Sequence, residues 1–80
     1  APYEARGESF LALNEPQKAI EDFNAALNVD SKNADAWAGL GLAYEKLGDR
    51  AKALANYQHA LAFDPNNKVA RDGEARVGRA

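Results

Sequence analysis

Apolar and small residues return along this chain every three or four positions, the spacing of one face of an α-helix, in five stretches separated by short polar turns. The first stretch, about residues 2–13, sets Tyr3, Arg6, Gly7 and Phe10 on one stripe. Asn14 tolerates the left-handed conformation that ends a helix, and Pro16 suits the first turn of the next. The second stretch, about 16–28, packs through Ala19, Ile20, Phe23, Ala26 and Leu27. It gives way to the turn Asp30-Ser31-Lys32-Asn33, with Asn33 the expected N-cap. The third, about 34–47, presents Trp37, Leu40, Gly41, Tyr44 and Leu47; Gly48 stops it and Asp49 caps its successor. The fourth, about 50–62, presents Ala53, Leu54, Tyr57, Ala60 and Leu61, and Asp64-Pro65-Asn66-Asn67 forms the next turn. The closing stretch, about 68–79, keeps a small face in Ala70, Gly73, Val77 and Ala80. Gly73 and Gly78 each cost about 1 kcal/mol against alanine in a helix interior, so this helix is expected to fray at its end. The predicted class is all-α, with no strand.

The pattern also repeats as a block. Residues 1–33 laid on 35–67 share 8 identities, with aromatic standing for aromatic at Tyr3/Trp37, Phe10/Tyr44 and Phe23/Tyr57. In the second block Trp37, Leu40, Gly41, Tyr44, Ala53, Tyr57, Ala60 and Pro65 follow the spacing W-x2-L-G-x2-Y…A-x3-F…P, with Tyr57 in place of phenylalanine. In these residues the chain resembles the tetratricopeptide repeat family. The resemblance covers essentially the whole length: one domain over 1–80, a first repeat at 1–33, a second at 34–67, and a capping helix or partial third repeat at 68–80. It implies an α-solenoid of about five helices, stacked as antiparallel pairs in a right-handed superhelix whose units touch only their neighbours.

Within that frame Gly7, Gly41, Ala19, Ala26, Ala53 and Ala60 mark helix crossings. Trp37, Tyr44, Tyr57 and Phe63 are expected to fill the wedge between repeats, each buried ring contributing roughly 2–3 kcal/mol. The first repeat departs from the family pattern at Arg6, where leucine is usual, and at Ser31, where proline is usual. The arginine is expected to lay its stem on the core and send its charge to solvent.

Charge and composition then narrow the partners. A net charge of −2 lacks the basic face that nucleic acid or an anionic membrane demands. No run approaches the roughly 18 apolar residues of a spanning helix, so direct membrane insertion is not expected either. With no cysteine there is no disulfide framework, thiolate metal site or cysteine nucleophile, and the compartment is left open. The opening Ala-Pro-Tyr, with no methionine in the chain, is read as part of a longer protein.

Chemistry at a catalytic site has little to work with. His59, the only histidine, falls off the Leu54/Tyr57/Leu61 stripe and has no serine or cysteine beside it, so it is expected as an exposed surface residue. Glu15, Glu21, Asp22, Asp30 and Asp35 show no metal-ligand spacing. Gly39-Leu40-Gly41 is half of a phosphate-binding glycine run, placed inside a helix where glycines serve packing. No enzyme activity, metal or cofactor is expected.

The face turned away from the packed stripe is more informative. The resemblance implies that the first helix of each pair lines a concave surface that binds a peptide or helix of a partner protein. Glu4, Glu8, Leu11 and Ala12 are the lining expected of the first helix, and Asp35, Ala38, Leu42 and Glu45 that of the third. The closing stretch would add Val69, Asp72, Arg76 and Arg79, with the two arginines holding one acidic residue of the partner. Leu11 and Leu42 are large apolar residues that the core within a repeat does not claim. A chaperone-type carboxylate clamp, which the family builds from lysine and asparagine on these helices, is absent: Glu4 and Glu8, then Ala38, Gly39 and Leu42, stand in its place. The expected partner is a protein segment basic at its edges and apolar at its centre. The alternatives are self-association into a homo-dimer, or a spacer between other domains.

Overall fold

The computed structural model describes residues 3–78. Among them run five α-helices and no strand: α1 (Tyr3–Ala12), α2 (Pro16–Val29), α3 (Ala34–Lys46), α4 (Arg50–Phe63) and α5 (Lys68–Val77). Local chemistry sets the turns between them. Asn14 takes φ 60° and Gly48 takes φ 83°. Beyond them the chain folds back, so that Glu15 N donates to Phe10 O at 2.8 Å and Asp49 N donates to Tyr44 O at 2.9 Å. At the longer turns Asp30 and Asp64 accept from the amides of Lys32 and Asn66, two residues on. Asn33 and Asn67 then cap α3 and α5 by accepting from Ala36 N at 3.1 Å and Ala70 N at 2.9 Å. Every one of these devices has its counterpart 34 residues away.

Two rings organise the core. Phe23 and Tyr57 are fully buried, and each is slotted between glycines of two different helices. A Cβ on Gly7 would stand 2.9 Å from the Phe23 ring, and one on Gly39 would overlap it. Gly41 and Gly73 would likewise drive a Cβ into Tyr57. Gly7 and Gly41 serve the crossing inside a helix pair; Gly39 and Gly73 serve the crossing with the helix that follows. The expectation for α5 is therefore corrected at Gly73. That glycine is what lets α5 close on Tyr57, and the helix packs through buried Ala70, Gly73 and Val77. Ala80, expected on the same face, lies outside the described residues.

Two more expectations change, and a third gains a partner. Phe63 is 46% exposed, because it is the last residue of α4 and falls past the crossing that Tyr57 fills. Arg6 does not extend its head freely into solvent. Its Nε and Nη2 donate to the Asp22 carboxylate at 2.9 and 2.7 Å, and Asp22 itself is buried. His59 is exposed but not idle, since its ring stacks on Trp37 with centroids 4.5 Å apart. The Trp37 indole in turn donates to the carbonyl of Ser31 at 2.9 Å.

Packing fixes the curvature. Helices α1 and α3 touch, as do α3 and α5, whereas α2 and α4 do not. The stack therefore bends around α1, α3 and α5, and these three form its concave wall.

Candidate functional site

On that wall, between the three helices, lies a cavity of about 220 Å³. Leu11 of α1 with Ala38, Gly39 and Leu42 of α3 make its floor, and Val69 of α5 closes one side. Glu8 and Asp35 stand at its edge. The spacing accounts for the layout, because residues three or four apart share a helix face. Glu8 sits one turn before Leu11, and Asp35 one turn before Ala38, and the packing of α1 on α3 brings the two carboxylates close enough at this cavity to act on one another.

The floor is more deeply set than the sequence suggested. Leu11, expected to stand clear of the core, is 8% exposed and packs in one cluster with Phe23 and Leu40. Ala38 is 2% exposed and belongs to the cluster around Tyr57. The close approach of α1 to α3 and of α3 to α5 draws both residues inward. Leu42 is half-buried and Val69 is 44% exposed, so these two offer the apolar surface within reach of a ligand.

The two ends of the wall differ electrically. At one end Asn33 Nδ2 donates to Glu4 Oε1 and Asn67 Nδ2 donates to Asp35 Oδ1, each at 2.8 Å, so the capping asparagines also fix two carboxylates. Burial, followed by the charges of Glu4 and Asp35, pushes the Glu8 carboxyl above the usual glutamate value. The ion pairs among the described residues engage Asp22, Glu15 and Glu45, and leave Glu4, Glu8 and Asp35 facing one another.

At the other end the charge is cancelled. Arg76 Nε and Nη2 both reach the Glu45 carboxylate at 2.7 Å, and the Tyr57 hydroxyl donates to Glu45 Oε1 at 2.7 Å. The arginine, then the tyrosine hydroxyl, hold the Glu45 carboxyl below its usual value against the opposing effect of burial. Leu42, Glu45, Lys46 and Arg76 border a second hollow of about 230 Å³ there. Two expectations are thereby corrected: Glu45 adds no free charge to an acidic rim, and Arg76 is already committed to a carboxylate of its own chain. Arg79 lies outside the described residues.

The 34-residue register explains why the ends differ. Counting on from Leu11, Phe23 and Leu42 arrives at Glu45, Tyr57 and Arg76. Where the first ring has leucines at those two positions, the second has an ion pair that also satisfies its hydroxyl. Of the expected lining, Glu8, Leu11, Asp35, Ala38, Leu42 and Val69 come together at one cavity. Glu45 and Arg76 meet at the other hollow, Glu4 adjoins the first through Glu8 and Asn33, and Ala12 is exposed and lines neither. The tethers Asn33 and Asn67 were recognisable as a turn pair repeated at 34 residues, but not as partners of Glu4 and Asp35.

Known proteins resemble this chain in sequence and fold. A TPR repeat profile matches residues 7–48, just over half of the chain, and a tetratricopeptide repeat profile matches 34–67. The tetratricopeptide repeat domain-containing protein PYG7 of Arabidopsis thaliana chloroplasts is 41% identical over 69 residues, which cover 86% of this chain and 23% of that protein. Human protein O-mannosyl-transferase TMTC3 is 39% identical over 76 residues, 94% of this chain but 8% of the transferase. The chain thus spans less than a quarter of the length of either relative. Among solved structures, the TPR domain of Arabidopsis OM64 superposes with a TM-score of 0.89 at 37% identity, covering 94% of this chain and 62% of that one. The second TPR domain of human RPAP3, solved with the HSP70 peptide SGPTIEEVD, gives 0.90 at 23% identity over 98% of this chain and 65% of its own, a likeness of fold alone. By its repeat register, its glycine-clamped rings and these matches, the chain belongs to the tetratricopeptide repeat family.

Proposed function

We propose that this chain is a protein-interaction module whose concave wall, formed by α1, α3 and α5, takes a segment of a partner protein and performs no chemistry on it. The observation that carries this is the cavity on the inner side of the bend, to whose apolar lining three helices contribute. The RPAP3 domain, of the same fold, is in complex with a peptide. An acidic C-terminus like that of a chaperone is a poor fit here, because Glu4 and Glu8 would repel it. The transferase name of TMTC3 belongs to a protein of which the match covers 8%.

We divide the domain as 1–33, 34–67 and 68–80, with the last part a capping helix. Supporting this, α5 carries exposed Arg71, Asp72 and Ala75 where α3 carries Trp37, Ala38 and Gly41. That polar outer face also disfavours stacking of one copy on another, so the partner is a different protein. The segment it binds is apolar at its centre, and basic at the α1 end alone, since the far end of the wall is neutralised by Arg76.

The test is to select binders from a randomised decapeptide library on the intact chain and map them by amide chemical shifts. The expected shifts fall at Gly39, Leu42 and Val69, and Val69→Ala should weaken binding about threefold to tenfold while leaving the thermal midpoint within a few degrees. Shifts confined to α2 and α4 would move binding to the outer face and overturn the proposal.

A further inference from the structure

We infer that the cavity between α1, α3 and α5 is a seat for one lysine or arginine side chain of the partner, with its aliphatic stem on Leu42 and Val69 and its cationic head between Glu8 and Asp35. This rests on the concave wall being the docking face. The size is the first reason. At about 220 Å³ the cavity falls below the ~300–1,000 Å³ typical of small-molecule sites, and it suits a single long side chain.

The second reason is that the lining is divided in the way such a side chain is. Leu42 and Val69 offer methyl groups to a hydrocarbon stem, over a floor closed beneath by Leu11, Ala38 and Gly39. The carboxylates of Glu8 and Asp35 sit together at one end, where the head would arrive. Asn67 holds Asp35 by one oxygen only, which leaves the other to accept from an ammonium or guanidinium group. Crowding of Glu8 with Glu4 and Asp35, none of them in an ion pair among the described residues, gives an incoming positive charge something to relieve. A purely apolar side chain would instead desolvate these carboxylates without compensation.

The third reason is direction. Because Arg76 pairs with Glu45, the carboxylates of the wall without an ion pair among the described residues of α1 and α3 are Glu4, Glu8 and Asp35, on the side of the cavity away from Glu45. A bound segment therefore places its basic residue over Glu8 and Asp35, and neutral residues toward Lys46. A bare metal ion is not the occupant: no group of three histidine, cysteine or acidic side chains with ligating geometry occurs among the described residues.

The seat is tested by titrating the chain with three blocked amino acids while following the amide signals of Glu8, Gly39, Leu42 and Val69. The probes are Nα-acetyl-lysine methylamide, its norleucine counterpart (stem without charge) and its diaminopropionate counterpart (charge without stem). Lysine should shift these signals saturably, with either truncated probe about fivefold weaker or more. Glu8→Gln should weaken the lysine probe by a similar factor and leave norleucine unchanged. Equal binding of lysine and norleucine, or indifference to Glu8→Gln, overturns the seat. Library-selected peptides separate this from the wider proposal. Peptides that shift the wall amides but carry no basic residue eliminate the seat and keep the docking face. Peptides that map elsewhere eliminate both.

Discussion

Phe23 and Tyr57 occupy the same place in successive helix pairs and differ by one oxygen atom, and the surroundings of each are matched to that difference. The Tyr57 hydroxyl donates to Glu45, which Arg76 also holds, so the oxygen is buried without being orphaned. Burial, then the bond to the Glu45 carboxylate, drive the Tyr57 proton affinity up, so it stays a donor throughout the physiological range. Around Phe23 the corresponding positions are Leu11 and Leu42, which accept nothing. Phe23→Tyr should therefore bury an unpaired hydroxyl and cost about 1–3 kcal/mol. Tyr57→Phe leaves the Glu45–Arg76 pair intact and should cost about 1 kcal/mol or less. Urea midpoints of the two variants measure the asymmetry, and equal losses would show that the two rings are not distinguished by their polar neighbours.

At the scale of an element, α5 shows how intrinsic helix preference yields to packing. Its sequence, with a glycine mid-helix and few large apolar residues, reads as the weakest of the five. Alanine in place of Gly73 would favour the isolated helix by about 1 kcal/mol. In the folded chain the new methyl would meet the Tyr57 ring, which cannot retreat because Gly41 lies against it and Glu45 holds its hydroxyl. Overpacking of this kind costs roughly 1–3 kcal/mol and should outweigh the propensity. Gly73→Ala is thus expected to lower the thermal midpoint and to speed amide exchange in α5 first. A rise in the midpoint would mean that propensity governs the helix and that its contact with Tyr57 is loose. The element is further tied by Arg50, whose Nη2 donates to Val77 O at 3.0 Å from the start of α4. Leu42 illustrates the reverse lesson. It packs against both core clusters, so truncating it tests stability as well as binding, and Val69 is the cleaner probe of the wall.

For the whole molecule, acid stability is the property that adds these local charges together. The Asp22 carboxyl is held below its usual value by Arg6, and that of Glu45 by Arg76 and then Tyr57. A carboxyl whose folded value is depressed contributes stability that is complete above its unfolded value and is lost as pH falls through the folded one. The Glu8 carboxyl is shifted the other way, so its charge opposes folding near neutrality and its protonation relieves that cost. Two depressed groups oppose one raised group, and the thermal midpoint should fall as pH drops from about 5 to about 2. Asp22→Asn should shallow that fall, whereas Glu8→Gln should raise the midpoint slightly near neutral pH and leave the acid limb in place. An acid limb unchanged by Asp22→Asn would place the titrating group elsewhere.

What the sequence by itself determined is whatever depends on neighbours a few residues apart. Helix bounds came within about two residues, because Asn14, Gly48, Asn33, Asp49 and Asn67 act on backbone groups within a turn of themselves. The 34-residue register likewise declared stacked helix pairs, since equal spacing of small and aromatic residues requires equal crossings. Helical period also states which residues of α1 and α3 share a face, and the resemblance to the repeat family implied which of those faces turns inward. The period does not state what another helix brings to that face. Leu11 went inward because α3 lies against α1, and Glu45 lost its free charge to Arg76, 31 residues later in the chain. Gly73 turned from a weakness into a fit because Tyr57 fills the space beside it. Only the tertiary structure decided these points, because burial and charge at a residue are set by distant side chains that packing delivers, and a period within one helix contains no record of them.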